Sequence, residues 1–174
     1  MKYALIYGAI AGAIVVSIIS ASIALGAPTH NISVLVGYLI MLAALSLIFV
    51  GVKRYRDVEC GGVIRFGRAF GLGLGMSLVA AIVYTAGWET FEAVSDVDFI
   101  GGYARDMIDG MRADGATQAA IEAQLAELKE MTAMYNDPVK RIPMIFIEIF
   151  PVGLLVSLVS AAILRNPRVL PARA

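Results

Sequence analysis

The sequence predicts an all-α fold, a polytopic membrane helical bundle of four transmembrane helices with an extracytoplasmic helical segment between spans three and four. Three observations carry this. Hydrophobic residues make up 59% of the 174-residue chain and the mean hydropathy is +0.79, well above the roughly half-apolar composition of soluble domains. The apolar residues collect in long blocks rather than at amphipathic spacing, and about 20 of them in a helix suffice to cross a hydrocarbon core roughly 30 Å thick. The blocks lack the two-residue alternation of barrel strands, so helices are left to satisfy every backbone N–H and C=O inside lipid.

In chain order the expected spans are 3–27, 32–52, 69–88 and 142–164, within one integral membrane domain, and only the fourth carries a charge, Glu148. The first competes with a cleaved signal peptide, since Lys2 precedes it and small residues close it. Signal-peptide cores run about 7–15 residues. This block is longer and carries Gly8 and Gly12 at the four-residue spacing of helix-packing faces, so an uncleaved span is expected.

Orientation follows the Lys/Arg bias of short loops. The basic loop 53–68 holds Lys53, Arg54, Arg56, Arg65 and Arg68, and the tail holds Arg165, Arg168 and Arg173; with Lys2 these nine cations face only Asp57 and Glu59. The segment 89–141 has eleven carboxylates and five basic residues. Both termini are expected to be cytoplasmic and the acidic segment extracytoplasmic. Five cations beside two membrane ends are what an inside loop carries, and Tyr55 and Phe66 are too few for a nucleic-acid stacking platform; no nucleic-acid partner is expected.

The segment 89–141 reads as two helices and a turn. Asp98 caps a helix with Phe99, Tyr103, Met107 and Met111 on one side; Asp114-Gly115 is a turn signal; Thr117 opens a second helix; Asn136-Asp137-Pro138 ends it. On the second helix Ile121, Leu125, Leu128 and Tyr135 form an apolar stripe, a face for the neighbouring helix or for a partner protein. Its acidic polar side is unlike that of membrane-surface helices.

Gly67, Gly71 and Gly75, with Gly73 between them, do not fit a nucleotide fingerprint, because no strand precedes them and no Lys-Ser/Thr follows. Four-residue spacing of small residues instead predicts helix packing, within the chain or between copies. His30 and Cys60 are each the sole residue of their type, which excludes the usual zinc sites, and no GxSxG or HExxH motif occurs. No enzyme activity, cofactor or metal is expected. Glu148 stands out: an ionised carboxylate in hydrocarbon is costly unless protonated, paired or turned to a polar interior. Pro151 removes the backbone donor that the Ile147 carbonyl would use, and Tyr84, Thr85, Trp88 and Glu89 are expected at similar depth.

Residues 51–57 (Gly-Val-Lys-Arg-Tyr-Arg-Asp) with 61–70, then 121–124, 134–138 and Glu148-Ile149-Phe150-Pro151-Val152-Gly153, resemble a bacterial membrane family, domain of unknown function 4199. Arg65 and Arg68 stand where that family often has Ser and Lys. The resemblance implies a four-span protein of the bacterial inner membrane with a helical external segment, and brings no activity. Two functional expectations follow. One is a non-enzymatic scaffold or accessory protein that holds a partner or copies of itself. The other is a small ion- or proton-coupled transporter or channel using Glu148.

Overall fold

The computed structural model describes residues 1–25 and 34–171; the junction of the first two expected spans, with His30, and Arg173 lie outside them. Seven helices occur and no strand among the described residues: α1 (Lys2–Ala24), α2 (Val34–Leu45), α3 (Leu47–Glu59), α4 (Phe66–Val94), α5 (Phe99–Ala113), α6 (Gln118–Tyr135) and α7 (Pro138–Leu164). α2 and α3 together form one apolar stretch, Leu35–Glu59, which with α1, α4 and α7 makes four helical runs long and apolar enough to cross a membrane. Between them Ser46 donates its hydroxyl to the Ala43 carbonyl at 2.6 Å, a local bond that competes with regular helix geometry.

The helices outrun the apolar blocks. α3 continues through the charges to Glu59, helped by the Lys53–Asp57 pair at 2.6 Å one turn apart, and α4 continues to Val94. Hydropathy marks where hydrocarbon ends, whereas helical hydrogen bonding continues through good helix formers such as Lys, Arg and Glu. Of the stretch 53–68, only 60–65 is loop. Gly61 and Gly62, at φ +60° and +85°, make its turn, a backbone region costly for residues with a Cβ.

The bundle is built inside out. Small residues, Ala11, Ala69, Ala80, Ala81, Ser157 and Ala161 among them, line the interior beside buried Leu45, Ile48, Met76, Ile149 and Leu164, while Leu5, Ile6, Ile10, Leu39, Ile82, Ile147 and Leu155 stand on its outside. In water that surface would be an aggregation liability; in lipid it is the solvent-facing side, and close backbone approach supplies the packing. α4 is central and packs most extensively on α1 and α7. α1 runs parallel to it: a Cβ on Gly8 would stand 2.5 Å from the Met76 carbonyl oxygen, and one on Gly12 would collide with that of Ala80. α7 runs antiparallel, and here the contact is reciprocal, Gly73 against Ser157 and Gly153 against Ser77, with the two buried hydroxyls 2.8 Å apart. Each hydroxyl also bonds the carbonyl four residues before it, Gly73 and Gly153 respectively.

At the basic end Arg56 is fully buried yet satisfied. Nε donates to Asp57 at 2.7 Å, Nη1 to the Val169 carbonyl at 3.0 Å and Nη2 to the Leu170 carbonyl, pinning the tail after α7 against α3. At the opposite end α5 and α6 form a hairpin. The Asp98 side chain accepts from the Gly101 N–H and the Thr117 hydroxyl from the Ala120 N–H, while Gly115, at φ +74°, turns the chain between the two helices. Ile108, Ile121 and Leu128 are its core.

Candidate functional site

The hairpin sits over the end of the bundle on an aromatic joint. Phe99 of α5 meets the Trp88 ring edge-on at 5.0 Å and the Tyr135 ring at 5.9 Å. Trp88 Nε1 donates to the Tyr135 hydroxyl at 2.7 Å, and that hydroxyl donates to Glu92 at 3.0 Å. Arg141, in the first turn of α7, makes a two-pronged bond to Glu89 of α4 at 2.8 and 2.7 Å and lies over the Tyr135 ring; such fork-to-fork pairs combine charge with fixed geometry. Burial, reinforced by the neighbouring Glu92 carboxylate, holds the Tyr135 phenol above its ordinary value of 10.0.

Beneath this joint lies a cavity of about 330 Å³. α1 supplies Ile19, Ser22 and Ile23, α2 Tyr38 and Met41, α4 Tyr84 and Trp88, the hairpin Phe99, Tyr103, Met131 and Tyr135, and α7 Met144, Ile145 and Glu148. The walls are apolar and aromatic, and Glu148 is the only charged side chain on them. Tyr38 is 46% exposed and Met144 40%, and Glu148 is exposed too, so the cavity opens between α2 and α7. Among the described residues no hydrogen bond or ion pair reaches the Glu148 carboxylate. That sets it apart from Arg56, Ser77, Ser157 and Trp88, which are buried and bonded. α7 continues unbroken through Pro143 and Pro151.

Several expected residues fall elsewhere. Glu89 is not a neighbour of Glu148 in this cavity: Arg141, 52 residues away in sequence, takes it. Leu125 leaves the stripe at 46% exposure, whereas Ile121, Leu128 and Tyr135 are buried. At 3.6 residues per turn the seven-residue steps drift slightly to one side of Ile121, and the four-residue step to Leu125 turns about 40° to the other. The stripe is therefore covered by α5 and the bundle rather than left free for a partner. A Cβ on Gly67 or Gly71 would meet nothing within 4 Å, and one on Gly75 only ordinary contact with Ala4 at 3.5 Å. Successive residues turn about 100° apart, so the α4 face toward α7 belongs to Gly73 and Ser77. The Gly-x-x-x-Ser spacing shared by 73–77 and 153–157 was the signal for that contact. Nothing local marked Arg56 for burial, because apart from Asp57 beside it its partners, the Val169 and Leu170 carbonyls, lie more than 110 residues on.

Among the described residues no group of three or more His, Cys, Asp or Glu is placed to hold a metal ion. A family model described as a protein of unknown function, DUF4199, matches residues 2–166. Comparison with curated proteins and with solved structures found no match.

Proposed function

The chain belongs to this DUF4199 family, and from that premise we propose that it is a non-enzymatic protein of the bacterial inner membrane that binds a cation or proton at Glu148 and works as a small carrier. One observation supports this above the rest. Glu148 lines an apolar cavity with no hydrogen-bonding partner among the described residues, although a carboxyl retained merely to fasten helices together would be bonded across an interface. Proximity of Tyr84 and Trp88 fits a binding role. In this reading both termini are cytoplasmic, because Lys2, Arg165, Arg168 and the five cations of the 53–68 stretch lie at one end of the bundle, and α1 is retained, because its removal would uncover Met76 and Ala80.

A second reading, an accessory protein that holds a partner, keeps the outer side of the hairpin, where Leu125 and Met134 stay exposed beside Glu122, Glu127 and Glu130. It loses the stripe expected to serve it. Measurement of the flux of protons and of monovalent cations, inorganic and organic, into liposomes separates the two. Wild-type protein is expected to carry flux that Glu148→Gln abolishes while circular dichroism and gel filtration stay unchanged. Absence of flux under every gradient, or equal flux in both proteins, rejects the carrier.

A further inference from the structure

We propose that the Glu148 cavity takes a lipophilic organic monocation, a quaternary or protonated tertiary ammonium or its phosphonium equivalent carrying apolar arms, which enters from the bilayer between α2 and α7. The inference rests on the reading of this cavity as the working site and names its ligand class.

Charge sets the first limit. One carboxylate and no Lys or Arg lines the cavity, and the guanidinium of Arg141, on the same helix as Glu148, is engaged by Glu89. An anion finds no counter-charge there. A small metal cation finds a single carboxylate, whereas hard cations in proteins gather about six or more oxygen ligands, and stripping its water in an apolar cavity is costly. What the walls offer instead is aromatic surface: Tyr38, Tyr84, Trp88, Phe99, Tyr103 and Tyr135. Ring faces attract a cation that has shed its water, Trp most strongly, and an organic cation with its charge spread under alkyl or aryl groups sheds water easily. Its arms gain by burial against the aliphatic walls, Ile19, Ile23, Met41 and Ile145 among them. The volume, about 330 Å³, falls at the lower end of the roughly 300–1,000 Å³ of small-molecule pockets.

Access sets the second limit. The exposed lining residues, Tyr38, Met144 and Glu148, face outward beside Leu35, Leu39 and Ile147, large apolar side chains of the lipid-facing surface. A ligand must therefore already be dissolved in the bilayer, as an amphiphilic cation is.

The test uses tetraphenylphosphonium and the full chain purified in a neutral maltoside detergent, with binding read by equilibrium dialysis and by the emission of Trp88, the chain's single tryptophan. Wild-type protein is expected to bind the probe saturably, one per chain, with quenching of Trp88. Glu148→Gln is expected to weaken binding at least about tenfold, since a desolvated charge pair loses one partner, and Tyr84→Leu several-fold; Glu148→Asp, which keeps the charge, retains saturable binding and guards against misfolding as the explanation. Equal uptake by wild type and Glu148→Gln, or no saturable uptake, overturns the proposal. So does displacement of the probe by short-chain phosphatidylethanolamine at a lower concentration than by a soluble alkylammonium, which would give the site to a lipid headgroup. Saturable binding without liposome flux would reject the carrier and leave this inference standing; Glu148-dependent proton flux without probe binding would do the reverse.

Discussion

Glycines on α4 differ in consequence according to where their missing Cβ would point. Gly67 and Gly71 open onto free space, so Gly67→Ala and Gly71→Ala are expected to stabilise the monomer by up to about 1 kcal/mol through better helix propensity. Gly12 on α1 has the Ala80 backbone against it, and Gly12→Val is expected to cost several-fold more than that gain, about 2–4 kcal/mol. Thermal unfolding in detergent measures both. Should Gly67→Ala instead dissociate an oligomer, the face would serve contact between copies. At this scale the sequence was partly legible. Glu148 announced itself as the one charge in an apolar run, and Gly8 and Gly12 by spacing, but glycines at 67, 71, 73 and 75 do not say which face of α4 meets α7. Glu89 was misplaced because its partner, Arg141, comes from another helix, and no local pattern encodes that pairing.

The hairpin of α5 and α6 docks on the bundle through Trp88, Phe99 and Tyr135, and the polar part of that joint predicts a pH limit. The Tyr135 phenol is held above 10.0 in the folded chain, chiefly by burial. Its neutral form is thus favoured by folding. The resulting stabilisation is fully present below pH 10.0, the unfolded value, and is lost as pH rises from there through the folded value. Proteolysis of the 95–98 connection between pH 8 and 11 is expected to accelerate in the upper half of the range. Tyr135→Phe, which deletes the bonds to Trp88 and Glu92, is expected to weaken docking by about 1–2 kcal/mol already at pH 8 and to flatten the alkaline rise. Unchanged protection in that variant would assign docking to the apolar contacts alone. The caps and turn of this hairpin could be read in advance from Asp98, Gly115 and Thr117, because capping is a local transaction between neighbours in sequence. Which of four stripe residues would be buried could not, since Leu125 differs from Leu128 only in its angle to a partner helix.

As a whole the molecule places most of its cations at one end and the hairpin, acidic on balance, at the other, and Cys60, the single cysteine, sits partly exposed at the basic end. A membrane-impermeant maleimide is expected to label it only after cells are opened; labelling in intact cells would invert the proposed orientation. Four spans were legible from hydropathy because length and apolarity are all that lipid demands of a helix. The central position of α4 was not, because where small residues make the contacts, as Gly8, Gly12 and Gly153 do against α4, rank is set by shape complementarity rather than by hydrophobicity. The clamp at Arg56 adds an order of events. Its guanidinium is made 113 and 114 residues before the carbonyls it bonds, those of Val169 and Leu170, an interval of roughly 6–20 s at ordinary rates of synthesis. Throughout that time the second span must wait at the membrane with a buried-to-be charge still wetted. Closure of the basic end is therefore a late step of biogenesis, one that follows the arrival of α7.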